Sequence, residues 1–247
     1  MSVLGTKLPR QFRILRIALI LQLLLGLYGE TAAQLNQGSY PDWATRWPAD
    51  EQYDRDCGPL WNQSQYGPFD YRLTKAGDRE LVEGAHFTYE YSAYLKGDKV
   101  SARPNIRLPP ASGFSYTLWA FPNQPQALAA MEDLGIRHKT EKPPGAKMRV
   151  HCYFQRAVRY TPDDPDVRAI YGYYYARRGN ANAAKIQFEK ANEFDIGKST
   201  TSVYQAFGYI EIKEFEKALE AAKMAYSRGY SLPGLKYRLE KAGKWKD

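Results

Sequence analysis

Apolar and small positions in the C-terminal half of the chain recur at helical spacing, and the whole pattern then repeats 34 residues further on. Ala184 and Ala191 step to Ala218 and Ala225, Gly172 and Tyr175 step to Ala206 and Tyr209, and Phe188 steps to Ala222. One period upstream, Phe154 and Ala157 stand where Phe188 and Ala191 do. Apolar residues three and four apart mark one face of a helix. The pattern predicts a helix from Pro165 to Arg178 closed by Gly179 and a second from Asn182 to Phe194, then another such pair in which Lys213 replaces the turn glycine. Thr161-Pro-Asp-Asp-Pro165 supplies a turn that ends one helix and starts the next, since proline suits a first turn but not a helix interior.

Upstream the signal is weaker. Leu81, Phe87, Tyr91 and Leu95 predict one helix over Arg79–Leu95, followed by a loop over 99–112 and a short helix over Gly113–Ala120. Asn123 reads as the N-cap and Gly135 as the stop of a helix over Gln124–Leu134, and a loop over 138–146 leads into Lys147–Tyr160. Residues 34–80 have little periodicity but hold Trp43, Trp47 and Trp61, so they read as an aromatic, loop-like segment packed on a helical body. The last stretch, Leu232 to Trp245, reads as an amphipathic capping helix.

The expected fold is therefore all-α: an aromatic, loop-rich, partly helical module over 34–122, helical repeats over 123–228, and a cap over 229–247. A helix-turn-helix period of 34 with small residues at fixed places is that of the tetratricopeptide repeat, and residues 147–228 resemble that family. Its members are interaction scaffolds. The phrases Cys57-Gly-Pro-Leu60, Gly67-Pro-Phe-Asp-Tyr-Arg72, Val82-Glu-Gly-Ala-His-Phe-Thr88 and Leu232-Pro-Gly-Leu235 make the wider chain similar to a group of bacterial envelope tetratricopeptide proteins. That resemblance implies an extracytoplasmic helical protein and no particular chemistry.

Charge and cysteine content refine the picture. The chain has 247 residues and a net charge of +8, of which Lys7, Arg10, Arg13 and Arg16 against Glu30 account for +3. The remaining basic residues are scattered, which argues against a nucleic-acid surface. The basic start, the apolar run Ile17 to Tyr28 and then Thr31-Ala-Ala33 have the order of a secretion signal, with cleavage expected after Ala33. The apolar run is short for a bilayer span of about 20 residues, and a membrane association is expected only if the segment is retained. Cys57 and Cys152 are the only cysteines; in an exported chain they are expected to pair, the alternative being two buried thiols. Neither they nor His86, His138 and His151 show metal-ligand spacing, and no cofactor motif occurs.

Candidate chemistry is sparse, and no catalytic residue is assigned. Glu83, His86 and Glu90 fall on one helical face and would suit acid–base work or a partly hydrogen-bonded packing site. The better-motivated surface is the concave groove that stacked helix pairs present, lined by Tyr173, Ala176 and Arg177, then Val203, Phe207 and Ile210. Of these, Tyr173, Arg177, Phe207 and Ile210 are expected to bind a protein or peptide of the periplasm or cell envelope. The chain thus reads as an exported scaffold or adaptor. Two alternatives stand beside it: an enzyme or binding protein for an envelope polymer such as a glycan, and a structural subunit of a secretion or polysaccharide-export assembly.

Overall fold

The computed structural model describes Cys57 and residues 66–245, and every regular element over 66–245 is an α-helix. Ten occur among the described residues: α1 Ala76–His86, α2 Thr88–Lys96, α3 Pro110–Ala120, α4 Pro125–Arg137, α5 Val150–Tyr160, α6 Pro165–Arg177, α7 Ala181–Glu193, α8 Ser199–Glu211, α9 Phe215–Ser227 and α10 Gly234–Lys241. All belong to one compact unit, Arg46–Asp247. The expected secretion signal and the three tryptophans ahead of residue 66 lie outside the described residues.

Local chemistry sets the helix starts. Asp164 accepts hydrogen bonds from the Asp166 and Val167 amides at 3.0 and 3.4 Å, with Pro165 first in the helix. Asn180 caps α7 through the Ala183 amide at 3.1 Å. These side chains satisfy amides that have no partner within the helix. At α4 the cap is Gln124, bonded to the Ala127 amide at 2.5 Å, and not Asn123. Asn123 instead receives the Tyr71 amide and donates to Asp70 and Asp164, stitching the chain before α1 onto the turn between α5 and α6. Arg72 reinforces that seam, contacting Asp70 at 2.7 Å and Asp163 at 3.0 Å.

The 34-residue offset holds in the helix boundaries. The boundaries of α6 and α7 map onto those of α8 and α9 with that shift at every end. Helix α4 matches α6 at a shift of 40, because a longer loop, residues 138–149, separates α4 from α5. The turn that closes α4, α6 and α8 is the same three times over. Lys139, Gly179 and Lys213 take left-handed φ of 52°, 75° and 63°. The next amide then reaches back to a carbonyl, Thr140 to Gly135, Asn180 to Tyr175 and Glu214 to Tyr209, at 2.9, 3.0 and 2.9 Å. This is the Schellman closure, which favours a residue free to adopt positive φ. Gly135 does not stop α4 as expected: the helix runs two residues past it, and the glycine is buried where a Cβ would stand 3.0 Å from Val150.

Two large apolar clusters form most of the core, one spanning α2 to α6 and the other α6 to α10, and a third, small one joins Val82 of α1 to Ala120 and Phe121. The second is organised by Phe188, wholly buried between glycines on two helices. A Cβ at Gly172 would fall 2.3 Å from its ring and one at Gly208 would fall 2.2 Å away. Only backbones without side chains let α6 and α8 close on that ring. In the N-terminal part, the helix expected over Arg79–Leu95 is two helices broken at Phe87, whose φ of −124° and ψ of −52° leave the helical region. The break turns Phe87 inward onto Phe114 and Tyr91, at ring separations of 5.8 and 4.9 Å. Leu81 and Leu95, which carried the single-helix pattern, are exposed.

Cys57 and Cys152 form the expected disulfide, with Cα atoms 5.0 Å apart, and both are buried. The bond ties the N-terminal segment to α5 across 95 residues of sequence. Closing a loop of that length is worth about 4–5 kcal/mol in the chain-entropy treatment.

Candidate functional site

One row of aromatic side chains runs across α2, α6 and α8. Tyr173 on α6 lies 6.1 Å from Phe207 and 5.8 Å from Tyr204, both on α8, measured between ring centres. Tyr204 is in turn near Tyr91 and Tyr94 of α2; burial first, then these phenols, Tyr173 and Glu132, hold its ionisation well above the ordinary value. Burial also pushes Tyr173 up to about 12. Each ring is partly covered and partly open. The hydroxyls of Tyr91, Tyr173 and Tyr204 make no hydrogen bond to the described residues, which leaves three phenols available to a ligand.

Charges border the row, and the structure pairs them off. Arg177 meets Glu132 at 2.8 Å and Asp133 at 3.0 Å, and its guanidinium lies 5.4 Å from the Tyr173 ring. Arg178 closes on the other Glu132 oxygen at 3.0 Å. Arg137 pairs with Asp133 at 2.5 Å and covers Tyr94 at 4.5 Å. At the far end Arg238 of α10 pairs with Glu211 at 2.8 Å and sits 5.6 Å from Phe207. Burial raises the Glu132 carboxyl and the two guanidiniums pull it back. For Arg177, burial is outweighed by Glu132, Tyr173 and Asp133, so its charge is held more firmly than usual. The strip is aromatic, hydrogen-bonding and close to electrically neutral.

Three of the expected groove residues, Tyr173, Arg177 and Phe207, therefore come together. Ile210 is half-buried against the C-terminal cluster. Ala176 and Val203, counted with them from spacing, are buried at 4% and 9% exposure and belong to the core. Of the four tyrosines in the run Tyr171 to Tyr175, Tyr171 and Tyr174 are buried while Tyr173 and Tyr175 are partly open. Spacing alone missed the acidic partners on α4. A signal for them existed: at the shifts of 40 and 34, Asp133, Tyr173 and Phe207 occupy equivalent places, as do Arg137, Arg177 and Glu211.

The Glu83, His86 and Glu90 group is divided by its bonds. Glu83 accepts from Gln124 at 3.0 Å, while Glu90 is buried and accepts from the Ser101 hydroxyl at 3.1 Å. His86 stacks on Tyr116 with ring centres 3.8 Å apart. Burial and the Arg103 charge lower its proton affinity, against a smaller opposing effect of Glu90. No cluster of metal-ligating side chains is found among the described residues, and His151 bonds the Tyr171 hydroxyl at 3.1 Å. None of the described helices is long and apolar enough to cross a membrane. Comparison with family models, curated proteins and solved structures gives no match.

Proposed function

We propose that this chain is an exported scaffold of the tetratricopeptide type, whose inner-helix groove holds an extended segment of another envelope protein. The observation that carries the reading is the row Tyr91, Tyr94, Tyr173, Tyr204 and Phe207 with its neighbouring guanidiniums already neutralised by Glu132, Asp133 and Glu211. Aromatic rings bury much apolar area, and phenols left without partners bond main-chain groups of an extended chain. Internal pairing disfavours a strongly charged occupant, so the fitting segment is apolar or aromatic with few charges. The recurrence of one hairpin and one turn along the array supports the repeat reading, and the disulfide agrees with export.

A second reading keeps the same strip but seats an envelope glycan on it, supported by the row of partly open rings with unbonded phenols. A photo-crosslinking amino acid at position 207, in cells of the native host, separates the two. The scaffold reading expects a covalent protein adduct at position 207 and none at Ile186, which is exposed on the outer helix α7. It also expects Phe207→Ala to weaken capture of that protein at least tenfold, about 1.4 kcal/mol. Protein adducts absent from 207, with purified glycan protecting Tyr173 and Tyr204 from chemical modification, would overturn it in favour of the glycan.

A further inference from the structure

A cavity lies on another face of α8. Helices α7 and α9 splay apart, and α8 floors the cleft between them with Ser202, Gln205 and Tyr209, a different face of α8 from the one carrying Tyr204 and Phe207. The cavity is about 260 Å³, smaller than a drug-sized pocket of roughly 300–1,000 Å³, so it suits a small molecule or a single side chain.

Its polarity is one-sided. Arg228, on the wall, is consumed by Asp195 at 2.7 Å and the Ser202 hydroxyl at 2.8 Å. Glu189 and Glu220 also line the cavity and form no ion pair among the described residues, against Lys217, which forms none among them either and lies 5.7 Å from the Tyr209 ring. The unpaired charge is thus net negative. Tyr209 feels it: burial, then Glu189, Glu214 and Glu220, push its hydroxyl up to about 12. The floor adds an independent feature. Gln205 is 94% buried by its 6% exposure, and its amide nitrogen donates to the Phe188 carbonyl at 3.2 Å and to Asn192 at 2.7 Å. The Phe188 carbonyl can only accept, which fixes the amide orientation. Gln205 lines the cavity, and its carbonyl oxygen receives no donor from the described residues. An amide oxygen that opens onto the cavity without a donor can accept an N–H from an occupant.

We propose that this cleft is a binding site for an organic cation, an ammonium or guanidinium group. Gln205 Oε1 accepts its N–H, Glu189 and Glu220 supply the counter-charge, and the Tyr209 ring and Met224 take its alkyl stem. The cation can be a free amine or a lysine or arginine of a partner protein, and the two sources are separable.

The test is an NMR titration of the full chain, following the Gln205 side-chain amide, with three probes: agmatine, acetyl-Gly-Arg-Gly-amide and its neutral citrulline analogue. Saturable shifts with a cation and none with citrulline are expected. Tighter binding of agmatine identifies a free amine, and tighter binding of the peptide identifies a partner side chain. Glu189→Gln with Glu220→Gln, both at the surface, is expected to weaken the better probe at least tenfold, while Lys217→Gln strengthens it. Shifts of equal size with citrulline, or binding unchanged in both variants, would overturn the proposal. The single variants Glu189→Gln and Glu220→Gln provide the same comparison if the double variant does not fold.

Discussion

Adding one methyl group at Gly208 probes the junction between the repeated helix pairs. An ideal Cβ there lies 2.2 Å from Phe188 Cζ and 3.0 Å from Cε2, whereas carbon atoms pack best at about 3.5–4.0 Å. The ring must move by about 1.5 Å to restore that distance. It cannot withdraw toward α6, because Gly172 already stands so close that a Cβ there would fall 2.3 Å away, and Tyr209 lies 4.7 Å from it on another side. Overpacking of this kind costs about 1–3 kcal/mol, with the upper end expected for a ring held on two sides. Against it, replacing a mid-helix glycine by alanine contributes about 1 kcal/mol of helix propensity. The net expectation for Gly208→Ala is a loss of about 1–2 kcal/mol. A chain of this size loses about 2–4 °C of Tm per kcal/mol. Urea denaturation followed by circular dichroism measures the loss directly. Gly84→Ala is the control, since nothing lies within 4 Å of its Cβ, and it is expected to stabilise by about 0.5–1 kcal/mol. In a Phe188→Leu background the shorter side chain should relieve the clash, so that Gly208→Ala becomes neutral or stabilising. Equal effects of Gly208→Ala with Phe188 and with Leu at position 188 would refute the reasoning.

Other expectations follow from single features. Lys213→Gly should stabilise by about 1 kcal/mol in the same denaturation assay, because Lys213 holds a left-handed φ of 63° that costs a side-chain-bearing residue about 1–2 kcal/mol. Cys57→Ser with Cys152→Ser should cost about 4–5 kcal/mol at equilibrium, and reductant should lower the wild-type midpoint while leaving the variant unmoved. His86 binds its proton less readily folded than unfolded, so the unfolded chain takes up protons first as pH falls through its value of about 6.5. Stability should therefore decline from neutral pH downward, and His86→Phe, which keeps the stack on Tyr116, should flatten part of that decline in denaturation midpoints measured between about pH 7 and pH 5.

Helices α6 to α9 were legible because their signals are local. Asp164, Asn180 and Gly179 fix three ends within one or two residues, and the 34-residue recurrence carries the same boundaries onto the next pair. The N-terminal helices were less so. A run of Leu81, Phe87, Tyr91 and Leu95 fits one helix, yet the buried side is made by Val82, Phe87, Glu90 and Ala93, and the break at Phe87 answers to Phe114 on a helix distant in sequence. Gly135 and Asn123 were misjudged for a related reason: each has a typical terminal role, overridden here by packing against Val150 and by bonds to Asp70 and Asp164. The groove was half legible. Tyr173, Arg177 and Phe207 follow from helical phase, but the neutralisation of Arg177 depends on Glu132 and Asp133 of α4, which the shift of 40 takes out of the 34-residue register. Gly208 has no counterpart in the repeat, since its equivalent upstream is the buried Tyr174, so only the position of the Phe188 ring explains it.

The disulfide has a mechanical consequence. Tension applied between the two ends of the chain passes from Cys57 through the sulfur bridge to Cys152 and on along α5, so α1 to α4 carry no load. Pulled to full extension, the oxidised chain should be shorter than the reduced one by the 95 residues enclosed, about 330 Å at roughly 3.5 Å per residue. Tyr91, Tyr94, Glu132 and Asp133 sit in the shielded loop while Tyr173, Tyr204 and Phe207 sit on the tethered stretch, so the proposed groove spans a part that resists stretching covalently and a part that yields to it.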